Sequence, residues 1–172
     1  MVQGYVGLPG TGKTYWLAKT GLDAIKKGRD VYANFHLDGA KYFNRLDQIK
    51  AVRKGVILID EINLSVPSRM WNKVPSWLLY FWSQTRKFDL DIYWTAQSLA
   101  RVDKVVREIS NFVWQFKNFF FGFHVANKYL PEEMDKAKRM SFETKWFTID
   151  KKVYKHYNTY EIIEIQEEFL KS

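Results

Sequence analysis

The chain has 172 residues, no cysteine and a formal net charge of +8 at pH 7. Its length suits one domain, residues 1–172, and the lack of cysteine excludes disulfides and cysteine-ligated metal sites. Without a secretory leader pattern or an apolar run of about 18 residues, the chain is expected to be cytoplasmic and to have no membrane span.

In the first sixty residues, apolar segments of strand length alternate with segments of helical periodicity. Between Tyr42 and Val52 the apolar residues recur at helical spacing, whereas VILID at 56–60 is a continuous apolar run. Such a run is typical of a strand covered on both faces, as in a parallel sheet. In chain order, we predict a strand at 2–7, a helix at 13–27, a strand at 31–35, a helix at 41–53 and a strand at 56–60.

The alternation continues after a polar loop that contains Pro67 and Pro75. We predict a helix at 76–87, a strand at 91–97, a helix at 100–109 and a strand or hairpin at 111–123. Strands that alternate with helices in a chain of this length indicate an α/β fold of three layers with a mainly parallel central sheet.

The C-terminal part has a weaker pattern. WFTID (146–150) and VYKHYNTY (153–160) are expected to form a hairpin that turns near Asp150 and Lys151. Residues 161–170 fit either a strand or a short helix. The predicted fold therefore includes a possible C-terminal β-hairpin.

The segment GLPGTGKT at 7–14 has the spacing of a phosphate-binding loop, with a predicted strand before it and a helix after it. Glycines let successive backbone N–H groups turn toward an anion, and the helix N-terminus adds its free N–H groups and positive dipole end. Lys13 would reach the β- and γ-phosphates, and the Thr14 hydroxyl would coordinate Mg²⁺. A glycine-rich turn without a ligand is the alternative. The expected nucleotide-binding residues are Gly7, Gly10, Thr11, Gly12, Lys13, Thr14 and Tyr15.

The apolar run 56–60 ends in Asp60, and Glu61 follows it directly. Asp60 would hold Mg²⁺, and Glu61 would act as general base for the attacking water. The alternative is that both acids cap the next loop. A glutamate beside the aspartate favours hydrolysis over phosphate transfer to a small acceptor.

A polar residue also ends the predicted strand 91–97. If this strand lies parallel to 56–60, Gln97 would approach the γ-phosphate and could orient water or sense hydrolysis. Thr95 and Gln97 could instead satisfy neighbouring backbone groups.

Three segments together resemble the ATPase domain of zonular occludens toxin-like proteins, which include the assembly ATPases of filamentous phages and are related to the FtsK–HerA group of DNA-pumping motors. These segments are GLPGTGKT, VILIDEIN and SQTRKFDLDIYWTAQSLARVDKVVRE, within residues 1–125. The resemblance implies an ATP- and Mg²⁺-dependent ATPase that acts in DNA packaging or virion assembly, with DNA and other phage assembly proteins as partners. Filamentous-phage members continue into a transmembrane helix and an outer domain, whereas this chain is expected to have neither.

Ring-forming relatives complete each active site with an arginine of the neighbouring subunit, so the resemblance also implies a homo-oligomeric ring such as a hexamer. The candidates for this arginine are Arg86, Arg101 and Arg107. Arg86 is preferred because it precedes the predicted strand 91–97, which ends in Gln97. Each could equally be an exposed helix residue. Lys87, Lys104 and the basic positions 136–139 could line a DNA-facing surface or be ordinary solvated side chains. We expect core positions or subunit contacts, not platforms for base stacking, for Trp71, Trp77, Trp82 and Trp94.

Two further functions fit the same motifs. A small-molecule kinase of the same fold would need an acceptor pocket and a lid, for which KAKRM at 136–140 is a candidate. A nucleotide-gated assembly factor would bind ATP tightly and hydrolyse little.

Overall fold

The computed structural model describes residues 1–65, 76–134, 136 and 139–158. Its centre is an eight-stranded sheet in the order β3-β2-β4-β5-β1-β6-β7-β8. The strands are β1 (Val2–Val6), β2 (Val31–Ala33), β3 (Lys41–Tyr42), β4 (Gly55–Ile59), β5 (Leu90–Ala96), β6 (Phe112–Asn118), β7 (Phe123–Tyr129) and β8 (Glu143–Thr148).

The sheet is parallel from β3 to β6, and its last two strands are antiparallel. Strand β5 lies between β4 and β1, so the carboxyl ends of these three strands meet at one edge of the sheet. The expected parallel neighbour of the acid-ending strand is therefore confirmed. The continuous burial of β1 and β4 agrees with a sheet that is covered on both faces.

Helices cover both faces of the sheet, which makes the predicted three layers. Apolar residues of α1 (Lys13–Lys26) pack on one face with Leu58 and Phe116. Those of α3 (Ser76–Ser83) and α4 (Lys104–Ile109) pack on the other face with Ile57 and Ile92. Trp82 and Trp94 are core residues as predicted, whereas Trp71 lies outside the described residues. The helices are α1 (Lys13–Lys26), α2 (Ile62–Ser65), α3 (Ser76–Ser83), α4 (Lys104–Ile109) and α5 (Lys151–Tyr154).

The helix predicted at 41–53 is wrong. This segment begins with β3 on the edge of the sheet and continues as a 3₁₀ turn at Leu46–Ile49. Its buried residues are Phe43, Leu46 and Ile49, which recur every three residues as a 3₁₀ turn requires, while Tyr42 is exposed. The Gln48 side chain accepts hydrogen bonds from the N–H groups that start the turn.

The hairpin predicted for the C-terminal part is also wrong in its location. WFTID contributes to β8, which pairs with β7, and the following residues form the short helix α5. Asp150 caps this helix, because its carboxylate accepts a hydrogen bond from the backbone N–H of Lys152 at 2.9 Å. Asp150 and Lys151 therefore begin a helix at the place where a hairpin turn was predicted. Residues 159–172 lie outside the described part of the chain.

Three other predicted elements differ in their bounds. The helix at 76–87 ends at Ser83, and the helix at 100–109 begins at Lys104 because Asp103 is its N-cap. Segment 111–123 is a hairpin, as one of its two interpretations required: β6 and β7 pair across a 3₁₀ turn. In the described part of the chain, no helix is both long enough and apolar enough to cross a bilayer.

Candidate nucleotide-binding site

The predicted phosphate-binding loop leaves the carboxyl end of β1 and enters α1 directly. Gly12 has a φ of 87°, in the left-handed region that favours glycine. The Leu8 carbonyl accepts hydrogen bonds from the Thr11 hydroxyl at 2.8 Å and from Lys13 Nζ at 3.1 Å. The loop is therefore curled around one of its own carbonyls, with the lysine folded against it.

The start of α1 provides an electropositive environment. The first N–H groups of a helix have no acceptor inside it, and the positive end of the helix dipole lies at the same point. The ammonium group of Lys13 is buried here, and burial lowers its pKa, although the carboxylates of Glu61 and Asp60 act in the opposite direction. A bound anion would favour the charged ammonium form.

Asp60 follows β4 and reaches the first turn of α1. The Thr14 hydroxyl donates to its two carboxylate oxygens at 3.1 and 3.3 Å, and the Thr95 hydroxyl donates to Oδ1. Asn34 makes two hydrogen bonds to the Asp60 backbone, at 2.7 and 2.9 Å. Burial raises the pKa of the Asp60 carboxyl, while the two threonine hydroxyls and Lys13 oppose this.

Thr14 and Asp60 fit a magnesium ion by their chemistry. A hydroxyl and a carboxylate are the hard oxygen ligands that Mg²⁺ prefers, and here they are in direct contact beside the loop. A buried carboxylate at this place has a raised pKa in the protein alone, and a cation would offset the cost of its charge.

Glu61 has a strained backbone and a partly buried side chain. Its φ is 49°, which is unusual for a residue with a side chain, and its N–H donates to Thr95 Oγ1 at 2.9 Å. Oε2 is buried and has no hydrogen-bond partner among the described residues. Burial and the charge of Asp60 raise the pKa of Glu61, whereas Lys13, Gln97 and Arg101 lower it.

Gln97 lies just beyond β5 and close to Glu61, so its predicted place near the acids is confirmed, while its role toward a γ-phosphate stays a prediction. Its side chain is among the groups that lower the pKa of the Glu61 carboxyl, and its Oε1 accepts a hydrogen bond from Arg101 Nη1 at 3.3 Å. Arg101, one of the three candidate arginines, is thus close to Glu61 of its own chain.

Arg86 lies at the other end of the strands. It is exposed and lines a cleft with Met1, Leu90 and Asn111, at the amino ends of β1, β5 and β6. Within one chain it does not join the loop or the acids, so its role as an arginine supplied by a second subunit stays a prediction.

Tyr15 is buried under aromatic side chains. Its hydroxyl accepts a hydrogen bond from the Asp150 N–H at 3.2 Å, and its ring stacks on Phe147 of β8. The side chain therefore anchors the C-terminal segment to α1, and the backbone N–H of Tyr15 belongs to the first turn of the helix, where N–H groups have no acceptor inside it. Nucleotide binding through Tyr15 stays a prediction for that backbone group.

Several contacts of the site were not predicted from the sequence. Asn34 and Thr95 position Asp60, and His124 with Phe147 pack against Gly12 from the antiparallel strands. Asn34 follows a predicted strand, so the rule that parallel strands present their carboxyl ends at one edge could have indicated it. No signal in the sequence indicates that β7 and β8 return to the loop.

An open cleft of about 720 Å³ adjoins the loop on the side of β6. Exposed Arg139 and Lys117 lie at its border, and Lys136, the other described residue in 136–139, pairs with Glu133 instead. Lys87 is exposed, and Lys104 pairs with Glu108 at 3.5 Å. The residues that line the cleft belong to the loop and to segments 97–100, 115–118, Met134 and Arg139.

The arrangement of the loop, the two acids and β5 is accompanied by a match of the sequence to a known protein family. The family profile of zonular occludens toxin (Zot) matches residues 40–162. The chain belongs to this family. The Zot match includes Asp60, Glu61 and the Arg86–Arg107 segment, begins after the phosphate-binding loop and extends beyond residue 125. No curated protein matches the chain in sequence.

Solved structures show the same fold at low sequence identity. The N-terminal domain of zonular occludens toxin from Neisseria meningitidis has a TM-score of 0.68 and 17% identity, over 91% of this chain and 97% of that one. The flagellar accessory protein FlaH from Methanocaldococcus jannaschii has 0.60 and 14%, over 87% and 85%. The genome packaging NTPase B204 from Sulfolobus turreted icosahedral virus 2, in complex with ATP-gammaS, has 0.57 and 11%, over 86% and 92%. The P-loop NTPase fold predicted from the sequence is thus confirmed.

Proposed function

We propose that this Zot-family chain is an ATP-hydrolysing motor that acts in virion assembly or DNA packaging and works as a ring of identical subunits. The observation that carries the ATPase assignment is the contact of Thr14 with Asp60 beside the loop, with Glu61 next in the chain. The genome packaging NTPase B204, which shares the fold, was crystallised with ATP-gammaS. The net charge of +8 favours DNA as the partner.

Each residue has a distinct task in this proposal. The loop amides and Lys13 bind the phosphates and stabilise the charge that develops on them. Thr14 and Asp60 would hold Mg²⁺, which neutralises charge on the phosphate oxygens when bound. Glu61 accepts the proton of the attacking water, and Gln97, beside it, stabilises its ionised form.

Substitution of Glu61→Gln separates binding from hydrolysis. The amide keeps the shape of the side chain but cannot accept the proton, so ATP turnover is expected to fall by roughly a hundredfold or more. The affinity for Mg²⁺–ATP, measured by calorimetry, is expected to stay within a few-fold. Glu108→Gln, at an exposed site on α4, serves as the control. Unchanged turnover in the Glu61 variant would remove the general-base role.

The motor part of the proposal needs a second measurement. ATP turnover per subunit is expected to rise with protein concentration and with added DNA, because a ring site is complete only between subunits and the motor acts on DNA. Sedimentation with a non-hydrolysable ATP analogue, with and without DNA, gives the oligomeric state. Turnover that ignores both DNA and concentration would leave an ATPase without a motor function.

A further inference from the structure

Four aromatic side chains are exposed where β6 turns into β7. Strand β6 runs parallel to β1, so its last residue, Asn118, lies at the edge of the sheet that carries the phosphate-binding loop, and both line the same cleft. The Phe119 ring packs edge-on against the rings of Phe120 and Trp146, with centroids 5.4 and 5.1 Å apart. The aromatic knob consists of four residues, each between 48% and 73% exposed: Phe119, Phe120, Phe123 and Trp146.

The aromatic knob lies beside a cation. Lys117 of β6 pairs in register with Val125 of β7, and Val125 pairs with Trp146, so Lys117 and Trp146 point to the same face of the sheet. Lys117 is exposed and forms no ion pair within the described part of the chain. Contiguous exposed rings mark an interaction site, and the lysine beside them favours a partner that carries carboxylates.

The opposite edge of the sheet has a cleft with the complementary chemistry. This amino-end cleft lies at the amino ends of β1, β5 and β6, and its volume of about 640 Å³ can hold an aromatic side chain. Asp89 borders it, is exposed and has no ion-pair partner among the described residues, whereas Asp91 is paired with Arg29. Apolar walls beside an unpaired carboxylate suit the aromatic knob and its lysine. The apolar side chains of the walls include Trp82, Leu90, Ile109 and Phe112.

The aromatic knob and the amino-end cleft of one chain cannot meet, because β6 separates them. This strand has seven residues, which span roughly 23 Å. The aromatic knob can therefore enter only the cleft of a second copy. A contact between two different surfaces of identical subunits is head-to-tail, and it repeats until a ring closes or a filament forms.

We propose that the aromatic knob of each subunit docks into the amino-end cleft of the next, with Phe120 as its anchor and Lys117 facing Asp89. Phe120 is the most exposed of the four rings, at 73%, so docking removes much apolar surface from water. Arg86 lines the same cleft, so docking brings it to the edge that carries the neighbour's phosphate-binding loop. The inference rests on the proposed ring and names the surfaces that form its interface.

Cross-linking between two single-cysteine variants tests this contact, because the chain has no native cysteine. Thr148→Cys is exposed beside Phe123 at the aromatic knob, and Ser83→Cys is exposed in the cleft. A mixture of both, treated with Mg²⁺–ATP-gammaS and a short bis-maleimide, should yield a covalent dimer on denaturing electrophoresis. Each variant alone should yield several-fold less dimer, because like positions do not face each other in a head-to-tail contact.

Lys26→Cys is the matched control for the cleft position. Lys26 is exposed in the last turn of α1, which packs on the other face of the sheet. Mixed with Thr148→Cys, it should yield no more dimer than either variant alone. The double variant Ser83→Cys/Thr148→Cys should form a ladder of covalent oligomers, whose largest species gives the number of subunits in the ring.

Phe120→Ser removes the anchor and leaves the phosphate-binding loop intact. Subunit association, measured by sedimentation with Mg²⁺–ATP-gammaS, should weaken tenfold or more, on the order expected for the loss of one buried aromatic ring. Lys117→Glu places a like charge against Asp89 and should also weaken association. Tyr42→Ser is the control and should leave association unchanged, since Tyr42 is a 58% exposed aromatic residue on β3, at the far edge of the sheet.

The outcomes separate this interface from the proposed function. An oligomer in which the unlike pair gives no more dimer than the Lys26→Cys control would overturn the interface and leave the ring. A protein that stays monomeric at every concentration would overturn both, whereas cross-linking without ATP turnover would support the interface and remove the motor. If Phe120→Ser lowers the binding of a fluorescent single-stranded DNA and leaves association unchanged, the aromatic knob is a DNA-binding surface and the inference fails.

Discussion

Glu61 and Asp60 are adjacent in sequence but have different environments. Asp60 accepts hydrogen bonds from two threonine hydroxyls, whereas Oε2 of Glu61 is buried without a partner among the described residues. The raised pKa of Glu61 makes it a stronger base than an ordinary glutamate, and a base works best when its pKa approaches the working pH. The proposed division into a metal ligand and a base follows from these environments.

The raised pKa of Glu61 predicts the acidic side of the pH–rate profile. Hydrolysis requires the ionised carboxylate, so kcat/KM should fall as the pH decreases through a pKa above the ordinary glutamate value of 4.5. Fixed-time assays of phosphate release, at pH values from acidic to neutral, measure this dependence of kcat/KM on pH. Gln97→Ala should move the acidic limb of the pH–rate profile to higher pH, because Gln97 stabilises the charged form of Glu61. An apparent pKa for the acidic limb at or below the ordinary glutamate value would contradict the assignment of Glu61 as the general base.

Asp60→Asn should stabilise the protein while abolishing hydrolysis. The folded-state pKa of Asp60 is raised above its unfolded value, so its stabilising contribution is present at low pH and is lost as the pH rises through the folded pKa. At neutral pH the buried charge is therefore a cost, and its removal should raise Tm by about 3 °C, for a gain on the order of 1 kcal/mol.

Asp91→Asn is the control of opposite sign for this measurement. Burial alone would raise the pKa of Asp91, but Arg29 and the N-terminal ammonium hold it below its ordinary value. Its contribution is present above the unfolded pKa, so Asp91→Asn should lower Tm at neutral pH. A lower Tm for Asp60→Asn as well would show that the charge of Asp60 does not destabilise the fold.

At the scale of elements, the contact between β1 and β5 depends on a glycine. Gly4 pairs in register with Trp94, whose ring lies over it, and Trp94 Nε1 donates to Ser110 Oγ at 3.1 Å. A Cβ on Gly4 would lie 2.2 Å from the Trp94 ring, far inside any real contact. The buried indole thus sets how β1, which leads into the loop, sits beside β5.

Gly4→Ala should destabilise the protein. Alanine is slightly better than glycine in a strand, but the clash with a rigid buried ring outweighs this, and overpacking of a core typically costs about 1–3 kcal/mol. Urea denaturation measures the effect. Trp94→Phe removes the ring atoms nearest to Gly4, so Gly4→Ala should cost less in that background. Equal costs in both backgrounds would show that the indole is not the obstacle.

At the scale of the whole molecule, the sheet has two functionally different ends. The loop and the acids lie at the carboxyl ends of β1, β4 and β5, while Arg86 lies at the amino ends. A five-residue strand such as β1 spans roughly 17 Å, farther than an arginine side chain extends. Arg86 can therefore serve a phosphate only in another subunit, which requires a head-to-tail arrangement.

Mixing two inactive variants tests this arrangement. Arg86→Ala and Lys13→Ala proteins should each lose hydrolysis, the first by on the order of a thousandfold if Arg86 stabilises the transferred phosphate. A mixture should recover activity, because some interfaces then combine an intact loop with an intact arginine. Lys87→Ala, at an exposed neighbouring position, is the control. Full activity of Arg86→Ala alone would exclude this residue and leave Arg101 and Arg107 as candidates.

Local sequence patterns predicted the loop and the acid-ending strand correctly. The elements that were predicted wrongly depend on contacts between distant parts of the chain. The loop spacing and the acid-ending strand each have a local signature, and both are where they were expected. The 3₁₀ turn at Leu46–Ile49 was mistaken for a helix because apolar spacings of three and of four look alike in a short segment. The Asp150 cap was missed because strand WFTID was paired with the wrong neighbour.

The sequence by itself determined the alternation of strands and helices, the phosphate-binding loop and the pair Asp60 and Glu61, because glycine spacing and apolar runs act on neighbouring residues. Only the tertiary structure decided that Asn34 and Thr95 hold Asp60, that His124 and Phe147 support Gly12, and that Arg86 faces away. These relations depend on strand order and on the return of β7 and β8 to the loop. No local pattern contains them, because the residues involved are distant in sequence and meet only when the sheet is complete.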